Sequence, residues 1–390
     1  VVGNVTKEFS MSHKNMVLLL GFAGFISAAD NWIVAPILPA IAAGFDVSIA
    51  RVAVILTAYM IPYGVMQPVY GFLSDRWGKA RVLQRIVAGL ALGTLGCATA
   101  SSLMTLCLWR IITGFFAAGI IAVSLALIGD AVPVADRQKH VGKFMGIVFL
   151  GQGLSVGIGG IFARFMSWRV IFVLFGVLAF GAMVSLRTLP KENSTKPSGG
   201  HFFTELKRVL LTPRGRVIFP LAFATGFLLL GSYSYLGAFL HEVDGLDYVQ
   251  VGMVVMFFGF ACLIAGSKVG AISGRLGWRK TIVLGGLIAL FALIILALFP
   301  YWQMGLASAI TLGIGYIFTQ STLATLAFDV ACENKGLPSA LIGLGLFGGG
   351  GLGSSFGGVT LSMGGYNMVW WSFAFGVAFF TIIVAKVKME

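Results

Sequence analysis

Charge is scarce in this chain, and acid is scarcer than base. Only 11% of its 390 residues are Asp, Glu, Lys or Arg, and 14 acids face 27 bases. A soluble domain carries about 25% charged residues, so this complement is too small to coat a water-exposed surface. Cysteine is limited to Cys97, Cys107, Cys262 and Cys332, which lie in or beside apolar runs at spacings that suit no zinc site. They read as buried thiols acting as small hydrophobes. Period-two alternation is missing, which argues against an outer-membrane barrel. The glycine run at 345–353 lacks a Gly-Lys-Ser/Thr ending and lies inside an apolar block, so it is no P-loop. No metal cluster and no nucleophile–base spacing is found. The chain is therefore expected to be no enzyme, with no catalytic residue, metal or cofactor.

What is present is apolar sequence in long blocks: 58% of residues are hydrophobic and the mean hydropathy is +0.95. A helix needs roughly 20 apolar residues to cross about 30 Å of hydrocarbon. Spans are expected near 15–42, 50–73, 81–101, 104–130, 142–163, 169–188, 217–240, 249–272, 280–299, 302–328, 338–362 and 366–386. The first block is long enough to span and follows a polar segment, so no cleavable signal peptide is expected. The longest break, 189–216, holds Pro190, Pro197, Gly199 and Gly200, then a stretch from Phe202 to Leu211 that reads as an amphipathic surface helix. The expected fold is an all-α membrane protein with twelve transmembrane helices in two pseudo-symmetric six-helix bundles. Residues 1–188 form the first bundle, 189–216 a cytoplasmic linker and 217–390 the second bundle.

The net charge of +13 is distributed by side. One set of breaks holds Arg76, Lys79, Arg81 and Arg85; Arg137, Lys139 and Lys143; Lys191, Lys196, Lys207, Arg208, Arg214 and Arg216; and Lys268, Arg275, Arg279 and Lys280. The breaks between them hold Arg51, Arg164 and Arg169 with the acids Asp46, Glu242, Asp244 and Asp247. This is the positive-inside pattern. It predicts an even number of spans and cytoplasmic termini, with lipid headgroups rather than nucleic acid as the partners of the basic residues.

The halves also repeat. "GFLSDRWGKARVL" at 71–83 matches "GAISGRLGWRKTIVL" at 270–284, and "IGDAVPVADRQKHVGKFMG" at 128–146 is echoed by "AFDVACENKGLPSALIG" at 327–343. Gly71 to Gly270 and Asp130 to Asp329 share one offset. Two matches at one offset argue for duplication, a known plan in transporters that bind substrate near the midplane between repeats.

At this point the chain resembles the major facilitator superfamily over essentially its whole length. Gly71-Phe-Leu-Ser-Asp75-Arg76-Trp-Gly78-Lys79-Ala-Arg81 is similar to that superfamily's signature loop between spans 2 and 3. Glycines let two helices approach, and Asp75 is suited to pair with arginines and to cap the start of the next helix. A bridge that forms in one state and breaks in another is a gate. Gly71, Asp75, Arg76, Gly78, Lys79 and Arg81 are its expected members, joined by Asp130 and Arg137 at the same end of span 4. Gly274 replaces the aspartate in the second copy, so the first is expected to be the stronger latch. Three further stretches resemble the twelve-span drug:proton antiporter group: Asp30 in "AADNWIVAPILPAI", Arg110 in "LWRIITGFFAAG", and Trp168-Arg169 in "SWRVIF". The antiporter motif of span 5 is matched at Gly151, Gly159 and Gly160, but Ser155 and Val156 stand where Gly-Pro is usual. The missing proline removes a helix kink and weakens the inference of antiport. Span 11 is rich in glycine, from Gly348 to Gly351 and at Gly353, Gly357 and Gly358, which predicts close helix packing.

An ionisable side chain inside the membrane is costly and needs a partner or a wet cavity. Only Asp30 and Arg110 lie well inside the expected spans, roughly 16 Å and 9 Å from the same side at 1.5 Å per residue. They are expected to meet. Burial would favour the neutral form of Asp30 and Arg110 its charged form, a balance that opening and closing would tip. Asp30 is therefore expected to carry a coupling proton with Arg110 as its partner. The competing readings are a permanent structural ion pair, or Arg110 as the anchor of an anionic substrate. Their repeat equivalents, Leu229 and Ala309, are apolar. Tyr59, Tyr63 and Gln67 fall at i, i+4 and i+8 on one face of span 2. With Asn31, Gln152, Tyr233, Tyr235, Tyr316 and Gln320 they are expected to line an aromatic cavity suited to amphiphilic molecules. Tyr233 and Tyr235 read equally as interfacial residues, a reading that fits Tyr63 less well because it sits mid-span.

The resulting expectation is proton-coupled export of small hydrophobic or amphiphilic compounds by alternating access, in a monomer of a bacterial cytoplasmic (inner) membrane. The alternatives are a transporter of a specific metabolite, anionic if Arg110 anchors it, and a lipid translocator.

Overall fold

The structure, a computed structural model, describes residues 11–47, 49–52, 54–165, 167–190, 201–331 and 335–386. Lys191, Lys196, Pro197, Gly199, Gly200 and Cys332 lie outside these residues. Every regular element among the described residues is helical. The first half contains α1 (His13–Trp32), α2 (Val34–Phe45), α3 (Ile49–Val52), α4 (Val54–Trp77), α5 (Lys79–Ala98), α6 (Leu103–Ala117), α7 (Ile120–Ala131), α8 (Val134–Phe165) and α9 (Trp168–Ser185). After it come α10 (Phe202–Leu211), α11 (Gly215–Thr225), a π-turn at Gly226–Leu230, α12 (Gly231–Tyr233) and α13 (Leu236–Glu242). The chain continues with α14 (Tyr248–Val255), α15 (Phe257–Leu298), α16 (Trp302–Ala327) and α17 (Gly336–Lys386).

Nine stretches of the described residues are long and apolar enough to cross a membrane. Two of them, Val249–Leu298 and Gly336–Lys386, are too long for one crossing, with 50 and 51 residues. A straight helix of that length would measure about 75 Å against a hydrocarbon core of about 30 Å. The backbone leaves helical geometry at Gly277 in the first and at Gly364 and Gly365 in the second. Counting each as two, and adding the 24-residue α4, is consistent with twelve crossings. Pro62 and Pro68 sit inside α4. The surface fits lipid contact: Leu92, Phe375 and Phe379 are each at least two-thirds exposed.

The duplication reaches into the backbone. Gly78 and Gly277 lie at the same offset as Gly71 and Gly270, and both take a left-handed φ, +88° and +79°. A side chain is strained in that region, so glycine is required where span 2 turns into span 3 and where span 8 turns into span 9. The glycines seven residues earlier also correspond. A Cβ on Gly71 would lie 2.5 Å from the Gly336 carbonyl oxygen at the start of α17, and one on Gly270 would lie 2.6 Å from the Lys139 Cα near the start of α8. Each repeat thus packs its loop against the opposite half.

A long seam joins the halves where α8 meets α14 and α15. Gly146, Gly153 and Gly259 face backbone there and Gly157 faces the Met256 sulfur, and a Cβ on any of the four would fall within 3.0 Å of a neighbour. Without a proline, α8 runs unbroken for 32 residues. Gly151 and Gly159 abut α1 and its continuation into α2, at Phe25, Ile33 and Pro36. In span 11, Gly349 and Gly353 are pressed against the Phe223 and Phe227 carbonyls of span 7 and its π-turn, whereas Gly348 and Gly351 face open space. Close packing thus accounts for part of that glycine run. The amphipathic helix α10 falls where its sequence predicts, with Phe202 edge-on to Phe72 at 5.4 Å.

Candidate functional site

Three groups of residues stand out: a buried ion pair in the first half, a small cavity between the halves, and a charged network at the basic end. The Asp30 Oδ2 accepts from Arg110 Nη1 at 3.1 Å, and both side chains are fully buried. Thr94 donates to the other carboxylate oxygen at 3.1 Å. The guanidinium lies over the Tyr59 ring at 4.3 Å, while Arg110 Nε and Nη2 have no hydrogen-bond partner. The pair is placed on the chain by an interruption: α1 ends at Trp32, two residues after Asp30, and α2 begins at Val34. The corresponding place in the second half, around Leu229, is the π-turn and is apolar. Buried charge is therefore concentrated in one repeat, as its sequence predicts.

Span 2 connects this pair with the cavity. The Tyr59 and Tyr63 rings stack at 5.5 Å. Tyr63 meets Phe347 of α17 edge-on at 5.4 Å. Tyr63 and Gln67 both line a cavity between the halves, together with residues of α7, α8, α16 and α17 that include Phe149, Gln320, Ser339 and Gly343. Its volume is ≈ 10 Å³, room for about one water molecule. This cavity thus admits nothing much larger than water in this arrangement.

Of the nine residues predicted to line the cavity, Tyr63, Gln67 and Gln320 do so in this arrangement. Tyr59 lies one helical turn away on the ion pair. Asn31 and Gln152 are buried outside the lining. Tyr316 packs edge-on to Phe149 at 4.7 Å, directly behind the wall. Tyr233 donates to the Val255 carbonyl at 3.4 Å and packs on Phe258. Tyr235 donates to the Ser354 carbonyl. These last two hold span 7 against its neighbours.

At the basic end, Asp75 reaches across to the second half. Its carboxylate accepts from the backbone N–H of Gly336 at 3.0 Å and of Leu337 at 3.3 Å, the first two residues of α17. The first N–H groups of a helix have no partner within it and carry partial positive charge, so a carboxylate there is well matched. Lys79 bridges Asp75 and Asp130 at 3.0 and 2.8 Å. Lys335 then donates to the Gly129 carbonyl at 2.6 Å and pairs with Asp130 at 3.1 Å. Arg137 lies 3.9 Å from Asp329, the repeat equivalent of Asp130. Each aspartate of the repeated pair thus meets a base from the opposite half. Arg76 stacks on Phe72 at 4.2 Å, and Arg81 faces outward.

Lys335, Gln138, Ser321 and Thr322 were not among the residues singled out from sequence. Gln138 donates to the hydroxyls of Ser321 and Thr322 at 3.3 and 3.1 Å, another link between the halves. The available signal was the second repeat segment, in which Lys335 stands directly before the glycine that opens α17. Farther off, Arg169 donates to the Ala100 carbonyl at 3.0 Å and lies over Trp168 at 4.2 Å, joining spans 3 and 6. No group of three or more metal-ligating side chains occurs among the described residues.

Apolar helices in two repeats, closed about a central cavity and latched at one end, define a membrane transport protein. The chain belongs to the Major Facilitator Superfamily, whose family model matches residues 20–344. Among its relatives is the multidrug resistance protein fnx1 of Schizosaccharomyces pombe, 32% identical over 44% of this chain and 32% of that protein. The vacuolar membrane amino acid uptake transporter fnx2 of the same yeast is 30% identical over 57% of this chain and 39% of that protein. The matched stretches thus cover between about a third and two-fifths of the two yeast relatives. The fold matches the crystal structure of the human organic anion transporter MFSD10, with a TM-score of 0.74, 14% identity, and coverage of 96% of this chain and all of that one.

Proposed function

We propose that this transporter exports small hydrophobic or amphiphilic compounds in exchange for protons, with Asp30 as the proton carrier. The observation that carries the reading is the fully buried Asp30–Arg110 pair, joined to the central cavity by the stacked Tyr59 and Tyr63. A buried carboxylate beside a cation is poised between two states. Loosening the pair favours protonation, and closing it favours release. The first half therefore couples, and the second mainly shapes the pocket. Rocking of the halves would make and break the Asp75 and Asp130 network. The reading takes the basic end as the cytoplasmic side, by the charge rule, with both termini in the cytoplasm, and takes the protein as a monomer of a bacterial inner membrane. Drug export is supported by the name of one yeast relative, although another is named for uptake.

The test is flux of a panel of fluorescent aromatic compounds into or out of proteoliposomes under an imposed pH gradient. Asp30→Asn should abolish gradient-driven flux while leaving exchange down a compound's own gradient. Intact gradient-driven flux in Asp30→Asn would remove the proton role. A panel that the wild type does not move would remove the amphiphile reading.

A second reading rests on the two unpartnered guanidinium nitrogens of Arg110, which suit an anionic group reaching past Tyr59. It requires Arg110→Lys and Arg110→Ala to lose affinity for anions selectively.

A further inference from the structure

The cavity between the halves combines two properties. None of its lining residues carries a formal charge, and several of its polar atoms are left without partners. Gln67 is 2% exposed, and neither its Oε1 nor its Nε2 makes a hydrogen bond. Gln320 Oε1 and Ser339 Oγ are equally unpartnered, on residues 1% exposed. Native proteins rarely leave buried polar groups unpaired, and each instance calls for a cause. Position 343 adds to the pattern, because a Cβ there would collide with Gln67 Oε1. Glycine at 343 leaves room for the carboxamide to stand at the cavity wall.

Resting on the proposal that this cavity is the substrate site, we infer that the substrate is an uncharged, planar molecule bearing an adjacent hydrogen-bond donor and acceptor, as in an amide or lactam edge. A primary carboxamide offers one acceptor and two donors. Its N–H and C=O present side by side, and their complement is another cis-amide edge, which accepts one bond and returns the other. Gln320 and Ser339 add an acceptor and a hydroxyl for a further polar group. Phe149, Tyr63 and Phe347 supply aromatic walls that suit a flat ring. A charged substrate would meet no countercharge in the lining, since Arg110 is engaged with Asp30 and covered by the Tyr59 ring. A site with unmet hydrogen-bonding groups discriminates most strongly against analogues that cannot fill them.

Four probes of matched size test this on the purified, full-length protein by titration calorimetry. They are 2-quinolone, N-methyl-2-quinolone, 2-naphthoate and N-methylquinolinium. The first should bind about tenfold or more tightly than each of the others, the difference expected for one well-made buried hydrogen bond. Gln67→Leu should remove the difference, so that 2-quinolone and N-methyl-2-quinolone bind that variant about equally. Gln67→Glu keeps the shape and should shift preference toward N-methylquinolinium. The inference is overturned if a charged probe binds wild type most tightly, if the two quinolones bind equally, if none of the four binds, or if neither Gln67 variant changes the order. Failure of the site itself is read separately, with Ile121→Trp filling the cavity. If the probes bind that variant as they bind the wild type, they occupy another place and the cavity is not the substrate site.

Discussion

The Tyr59 ring lies 4.3 Å beneath the Arg110 guanidinium, on the same helical face as Tyr63 and Gln67. One face of span 2 thus touches the buried ion pair at one end and the cavity wall at the other. In the proposed mechanism a shift of the pair would move Tyr59, and the stacked Tyr63 would carry the movement to the cavity. Tyr59→Leu is expected to leave substrate affinity within about threefold, yet to uncouple substrate flux from the pH gradient. Paired measurement of binding and gradient-driven flux checks this.

The pair itself separates folding from coupling. Removing one partner of a buried ion pair costs about 3–5 kcal/mol, whereas replacing both often costs little. Arg110→Met alone should therefore lower the thermal midpoint markedly. Asp30→Asn combined with Arg110→Met should recover most of that loss and still show no gradient-driven flux. A double-mutant cycle of thermal midpoints, with flux measured on the same preparations, reads both.

Gly71 and Gly274 make a matched contrast between the two loops. Gly71 has no room for a Cβ, while a Cβ on Gly274 meets nothing within 4 Å. Gly71→Ala should destabilise the arrangement closed at the basic end by about 1–3 kcal/mol, the usual cost of overpacking. Gly274→Ala should be neutral. Spin labels at the exposed positions 81 and 275 would report widening of that end in the first variant only.

Lys335 holds Asp130 and the Gly129 carbonyl from the opposite half. Lys335→Ala removes a charge-assisted hydrogen bond, about 1.5–3 kcal/mol, and should raise the population open at the basic end by roughly tenfold or more. The same pair of spin labels measures it.

Span 11 offers a stability test free of transport. Gly349→Ala should lower the thermal midpoint, because its Cβ would strike the Phe223 carbonyl. Gly348→Ala faces open space and should be neutral or slightly stabilising, since alanine favours a helix over glycine by up to about 1 kcal/mol.

Asp30 and Arg110 were legible because an ionisable group in an apolar run has few explanations. Gly71 and Asp75 were legible because their spacing recurs at one offset. Lys335 was hidden for the opposite reason: it is one base among many at a basic end, and its partner lies more than two hundred residues away. Tyr59 and Tyr63 share a spacing that gives the face of the helix and leaves open what that face meets. Only packing puts the first on the ion pair and the second on the cavity. Tyr233 and Tyr235 illustrate the same ambiguity, resolved toward neighbouring helices. The π-turn at Gly226–Leu230 had no sequence mark at all, because an i→i+5 bond depends on what presses against the helix.

The glycines between span 5 and span 8 have one more consequence. Most helix pairs mesh side chains as ridges in grooves, and sliding such a pair means lifting each ridge over the next. Where Gly146, Gly153 and Gly259 lie on that line, backbone runs against backbone with little to interlock. Along such a contact there are few side-chain ridges to lift. If the halves rock as proposed, the charged links at one end, rather than interlocked side chains along this line, would be what has to let go.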